Sequence, residues 1–371
     1  MTNRRDIWRD FMGRFEPSAD PRDAVERGFY VPRPDRSLAE QLAARFELKP
    51  QASHLLMGGV GSGKTTQLLV ARDRLVSTGD VSATYIDVSL HVEPNQVTSS
   101  ALLAMVGLEL GSQLDSIPPK IIDHLNEFSN HLAPSEEPWH DDPFDRFSQG
   151  VDHIAHALRV THPHHVLLVD SLDRMTDLSR FANLIEGGIS KLRELGAGII
   201  LIGPLTALYG IRRTALDRFD RSWHLPTVDV QNDAAGHAFL LGVLRARDAK
   251  SLLTDAAATQ LCTYSGGVLR DLIALTQAAG EEAYVDGAER VEAGHVELAA
   301  EIFGRKHLFA IDSQQLAVLQ RVRTKGTFVQ TSEKDLSLLA TRRVLEYTNG
   351  HARFAVHPTL EKLLAEIPEV A

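Results

Sequence analysis

The sequence predicts an α/β fold: a parallel sheet covered by helices, then a helical region, then a small helix-and-hairpin domain. Three observations carry that prediction. Apolar, β-branched runs alternate with helical spacing up to about residue 230, as a parallel sheet covered on both faces requires. The first of these runs opens into a glycine-rich loop. Beyond Pro226 the strand signal fades, and only one pair of strand-like runs returns near the C-terminus.

Taken in order, residues 1–27 are charged and weakly helical, with Pro17 and Pro21 as breaks. Leu38, Leu42 and Phe46 then stand at helical spacing ahead of Pro50. "ASHLLMGG" reads as a short buried strand, and "KTTQLLVARDRLVSTG" as the helix that leaves the loop. "SATYIDVSL" is the next strand. Residues 95–160 are helical around "APSEEPWHDDPF", a proline- and acid-rich surface loop. "HHVLLVDSLDRM" is a third strand ending in acids, "LSRFANLIEGGISKLRELG" a helix and "AGIILIGP" a fourth strand. Residues 231–304 read as helices parted by "YSGGV" and "YVDGA". In the last stretch "VLEY" and "RFAV" flank Asn349-Gly350, a hairpin signal, so helices followed by a hairpin resemble a winged helix. The expected domains are 1–27, an N-terminal helical segment; 28–230, the sheet core; 231–304, a helical lid; and 305–371, the winged-helix-like part.

Composition sets the bounds. The 371 residues, 43% hydrophobic and 24% charged, suit a globular chain with a large core. A net charge of −10 argues against a general nucleic-acid coat. The single Cys262 has no partner for an internal disulfide and makes no cysteine zinc site alone. No apolar run approaches the roughly 20 residues that span a bilayer, and the N-terminus lacks a signal-like apolar segment. The expectation is a cytoplasmic protein with no membrane partner.

The chemistry gathers in "GGVGSGKTT". Gly58, Gly63, Lys64 and Thr65 fit G-x-x-x-x-G-K-[ST], and the whole run Gly58, Gly59, Val60, Gly61, Ser62, Gly63, Lys64, Thr65 and Thr66 is the candidate ligand-binding loop. Glycines let backbone N–H groups curl around phosphate oxygens. The lysine reaches the β and γ phosphates, and the threonine hydroxyl serves Mg²⁺. The positive end of the following helix adds to the attraction. "HHVLLVDSLD" supplies the second half, an apolar strand running into Asp170, whose carboxylate would hold Mg²⁺ opposite Thr65. No guanine-reading motif is present, so ATP is favoured.

The order of these motifs resembles the AAA+ and STAND branches of the P-loop ATPases. Within them it is similar to the replication-initiator and transposition-regulator type, with a helical lid and a winged helix. The resemblance covers about residues 30–370, with only the two Walker motifs specific. It implies a P-loop NTPase parallel sheet with flanking helices, followed by an α-helical lid and a winged-helix-like domain. AAA+ enzymes usually carry a glutamate after the Walker B aspartate, where this chain has Ser171. Its D-S-L-D looks more like the D-x-x-D of STAND ATPases, which makes Asp173 the water-positioning candidate. "YSGGVLRDL" is similar to a lid segment with a sensor-2 arginine, implying that Arg270 reaches the γ-phosphate. "RRTALDRFDRSWHLP" lies where the family carries an arginine finger, so Arg218 or Arg221, with Arg213 behind them, would act on a neighbouring subunit. A polar sensor-1 residue is missing from "LIGP", where Gly203 and Pro204 stand.

The function implied is an ATP-binding and hydrolysing switch that controls self-assembly or a partner protein, in bacterial stress or antiviral signalling if the STAND likeness holds. The alternative is a DNA-acting AAA+ ATPase, a replication loader or transposition regulator, gripping DNA through residues 305–371. Arg321, Arg323, Lys325, Lys334, Arg342 and Arg343 would be its phosphate contacts. A third reading is a scaffold that binds the nucleotide without hydrolysing it. His153, His156, His162, His164 and His165 read as surface histidines rather than a zinc site, and Trp8, Trp139 and Trp223 as packing residues.

Overall fold

The computed structural model describes residues 3–34, 37–79, 81–133, 142–160, 163–210, 213–348 and 351–367. The Asn349-Gly350 turn, Trp139 with most of its acidic loop, and His162 lie outside the described residues, as do the side chains of Arg213 and Glu333. The chain forms two compact units.

One unit comprises Leu38–Gly58 and Gln67–His224. Its sheet has the order β2-β3-β4-β1-β5, built from β1 (Ser53–Gly58), β2 (Val81–Asp87), β3 (His164–Asp170), β4 (Gly198–Gly203) and β5 (Arg221–Leu225). The pairs β1–β4, β3–β4 and β2–β3 are parallel. β1 and β4 are buried along their whole length, which is why both read as unbroken apolar runs. β4 thus stands between the strand that enters the glycine loop and the strand that ends in Asp170. This is the P-loop sheet with flanking helices that the sequence predicts.

β5 carries no strand signal in its sequence. Only Trp223 and Leu225 of its residues are buried, and it begins on exposed Arg221, so it lacks an apolar run. Asp220 anchors it: the carboxylate accepts from Lys49 Nζ at 2.5 Å and from the Ser53 amide at 2.7 Å. Burial alone would raise that carboxyl, but the Lys49 and Ser53 hydrogen bonds bring it down to about 2. Three helices, Ser99–Gly111, Pro119–Leu132 and Phe144–Leu158, account for the helical stretch after β2. Phe128 lies against Gly107 and Gly150, where a β-carbon would strike its ring. His165, expected at the surface, is buried on β3 with 7% exposure because the strand lies inside the sheet.

The other unit comprises Met1–Ser37, Gly59–Thr66 and Leu225–Ala371. Four helices, Ala234–Arg247, Asp255–Tyr264, Leu269–Val285 and Ala293–His307, surround Leu240, Leu261, Leu272, Leu275 and Ala279. The N-terminal helix Arg4–Arg14 joins this core through Trp8 and Phe11, with Phe15 just beyond it. Gly280 admits the Phe11 ring, which would stand 2.6 Å from a β-carbon there. Arg4 closes the contact, donating to the carbonyls of Tyr284 and Ala288 at 3.0 Å each. The C-terminal part holds the helix Ser313–Lys325, the short helix Leu336–Ala340 and the antiparallel pair β6 (Val344–Tyr347) and β7 (Arg353–Val356). That is the winged-helix-like arrangement expected from "VLEY" and "RFAV".

Candidate phosphate-binding site

The glycine loop leaves the buried strand β1 after Gly58 and ends in the helix Lys64–Ser77. Gly61 and Gly63 have φ of +81° and +92°, values at which a side chain is strained. The Ser62 amide donates to the Gly59 carbonyl at 3.2 Å and tightens the turn. Lys64 is 4% exposed, and its Nζ donates to the Gly59 carbonyl at 2.9 Å, folding the ammonium back over the loop. The Ser62 hydroxyl is buried with no hydrogen-bond partner. An orphaned hydroxyl costs free energy unless something pairs with it, and the oxygens of a phosphate chain supply acceptors for it. These residues fit a nucleoside triphosphate.

Asp170 ends β3 and is 3% exposed. In register, β4 carries Leu201 opposite Val169 and Ile202 opposite Leu56, so Asp170 and the close of β1 share one edge of the sheet. Tyr85, on the neighbouring β2, donates its hydroxyl to Asp170 Oδ2 at 2.8 Å. The next residue, Ser171, has a left-handed φ of 71°, and its amide donates to Asp170 Oδ1 at 2.5 Å. A non-glycine residue held there costs on the order of 1 kcal/mol. The Ser171 amide and the Tyr85 hydroxyl thus fix the carboxylate from both sides, and a carboxylate is a hard oxygen ligand of the kind that suits Mg²⁺. Asp173 follows within the short turn Leu172–Arg174 and is partly exposed. Sequence motifs pointed to Asp170 but not to Tyr85, because a cross-strand partner appears only once the sheet pairs.

Arg270 lies in the first turn of the helix Leu269–Val285, exposed to solvent. Its amide donates to the Gly61 carbonyl at 3.3 Å, which places it beside the loop. Its neighbour Asp271 accepts from Arg342 Nε at 2.8 Å. Arg218 and Arg221 are both exposed: Arg218 precedes β5, and Arg221 opens it with its guanidinium 4.3 Å from the Trp223 ring. Gly203 closes β4 where a β-carbon would meet Phe181 at 2.6 Å and Leu55 at 2.9 Å, so apolar packing fills the space where a polar side chain would stand.

His153 faces His124 at 3.1 Å rather than joining His156, and among the described residues no group of three or more ligating side chains gathers. No helix among them is long and apolar enough to cross a membrane.

No family model matches the chain, and no curated protein matches it. Among solved structures it is similar to Cdc6p from Pyrobaculum aerophilum, with 14% identity over 95% of this chain and 97% of that one and a TM-score of 0.48. It is also similar to the Aeropyrum pernix Orc1 protein in complex with DNA, with 15% identity, 91% and 95% coverage and a TM-score of 0.46. A third is the Thermotoga maritima RuvB Holliday junction branch migration motor, with 16% identity, 89% and 95% coverage and a TM-score of 0.44. At such identities chemistry does not transfer with fold.

Proposed function

We infer that this protein binds ATP with Mg²⁺ and hydrolyses it slowly, as a switch of the AAA+/STAND kind whose output is self-assembly or control of a partner protein. The observation that carries this reading is the left-handed glycine loop closed over Lys64 at the end of a buried strand.

In this reading Gly58–Thr66 wraps the phosphates with backbone N–H groups, and Lys64 swings from the Gly59 carbonyl to the β and γ phosphates. Thr65 and Asp170 would hold Mg²⁺, and the ion would supply charge neutralisation at the phosphate oxygens. Asp173 orients the attacking water from the turn after β3 and takes up its proton. Arg270 senses the γ-phosphate from the turn that touches Gly61. Arg218 or Arg221 completes the site of a neighbouring copy, stabilising charge as the terminal phosphoryl group departs. The serine at 171, in place of a glutamate, suits slow turnover and a long-lived ATP state.

A second reading, a DNA-acting AAA+ ATPase, is favoured by the winged-helix-like C-terminal part, where Arg323, Lys325 and Lys334 are exposed. Arg323 pairs there with Glu361 at 3.2 Å. Arg321, Arg342 and Arg343 likewise bind groups of their own chain, so of these six cations DNA contact falls chiefly to Lys325 and Lys334.

ATP turnover by the purified chain, with and without duplex DNA and with Lys64→Ala as the blank, tests both. Slow turnover indifferent to DNA supports the switch. Strong stimulation by DNA transfers the function to the second reading. Turnover equal to that of the blank removes hydrolysis from both.

A further inference from the structure

One turn of the chain, Gly266–Asp271, has the phosphate loop on one side and the C-terminal hairpin on the other. Towards the loop, the Arg270 amide donates to the Gly61 carbonyl at 3.3 Å. A β-carbon on Gly61 would meet Arg270 Cβ at 2.6 Å and Val268 Cγ1 at 3.2 Å, and one on Gly63 would meet Leu269 Cδ1 at 3.0 Å. Towards the hairpin, Val268 packs in one buried cluster with Leu345 and Tyr347. The Tyr347 hydroxyl donates to the Gly266 carbonyl at 2.8 Å, and Leu345 and Pro358 close over Gly266. Val268 therefore touches both partners.

A buried ionic clasp fixes the same turn. Asp271, 1% exposed, accepts from Arg342 Nε at 2.8 Å, and His357 Nε2 stands 3.5 Å from the same carboxylate oxygen. Burial alone would raise this carboxyl, but His357 and Arg342 beside it hold it below the ordinary carboxylate range. Arg342 reaches it from a left-handed backbone, φ 61°, a conformation that residues other than glycine adopt only when their surroundings enforce it. Breaking such a pair leaves an uncompensated buried charge, so the clasp has few intermediate positions.

We propose that the turn Gly266–Asp271 couples γ-phosphate occupancy of the loop to the C-terminal hairpin, with Asp271, Arg342 and Val268 as positioning residues. The coupling rests on the nucleotide reading above. Arg270 and Asp271 are consecutive on one helical turn, so a displacement of the first by a γ-phosphate carries the second and, through it, Arg342 and β6. The effect is reciprocal: loosening the clasp costs affinity for ATP while sparing ADP, which offers Arg270 no γ-phosphate.

Titration calorimetry with ATPγS and with ADP on the full chain, native and Arg342→Gln, reads this directly. The native chain prefers ATPγS, Arg342→Gln loses at least about 5-fold of that preference, and Arg342→Lys, which keeps a cation for Asp271, restores most of it. Hydrogen exchange on the native chain needs no variant, and amides of 344–347 and 353–356 change protection with ATPγS but not with ADP. Unchanged preference in a folded Arg342→Gln, a parallel loss of both affinities, or exchange indifferent to ATPγS would each overturn the coupling while leaving the nucleotide site intact. A native chain that binds neither nucleotide overturns the nucleotide reading, and the coupling with it.

Discussion

Gly61 and Gly63 satisfy two demands at once. Their left-handed backbone shapes the loop, and the space a side chain would take is held by Arg270 and Leu269. Gly61→Ala therefore meets strain and collision together, and nucleotide affinity should fall at least about tenfold in a calorimetric titration. Lys64→Ala removes a charge-assisted contact and should weaken binding roughly 10- to 100-fold; a variant that binds normally would put the phosphates elsewhere. Asp173→Asn leaves the loop untouched, so binding should persist while turnover slows by about 100-fold or more. Unchanged turnover would take Asp173 out of the mechanism. The loop was legible in the sequence because a phosphate cradle is made by consecutive residues. Tyr85 was not, since its hydroxyl meets Asp170 across a strand pairing that no local pattern encodes.

Elements follow the same division. β1, β3 and β4 announce themselves as apolar runs because the sheet buries nearly every residue in them. β5 escapes notice, being held by Asp220 and Trp223 rather than by an apolar run. β1 carries His54, which is 3% exposed with neither ring nitrogen hydrogen-bonded and the rings of Phe46 and Trp223 against it. Burial lowers it from 6.5 to about 4. Between those values the unfolded chain takes up a proton that the folded chain refuses. Stability is therefore full above pH 6.5, declines as pH drops towards 4 and levels off below. The loss approaches about 3 kcal/mol. Denaturant unfolding across that range should show it, and His54→Leu should flatten that part of the profile. The N-terminal helix makes a comparable point about packing. Its charged sequence hides that Trp8 and Phe11 complete a core built by residues more than two hundred positions away. Phe11→Ala should cost about 3 kcal/mol, measured on the same unfolding curves.

At the scale of the whole molecule, Arg218 and Arg221 have a role only if a second copy brings a phosphate chain to them. Specific ATPase activity should then rise with protein concentration, and Arg221→Ala or Arg218→Ala should abolish that rise without weakening nucleotide binding. A constant specific activity from a proven monomer would remove the finger. A net charge of −10 opposes casual association between copies of the chain. The order of parts along the chain differs from their grouping in space. Residues 59–66 pack with segments drawn from both ends of the sequence, while the strand before them and most of the helix after them belong to the other unit. No single cut of the gene separates the two units. A chain truncated after the sheet would retain every Walker residue yet lose the turn that rests on Gly61 and Gly63. Recombination could not hand this loop to a new effector domain without also supplying a surface to cover it. If the protein is the switch proposed above, its sensing and its response are inherited together.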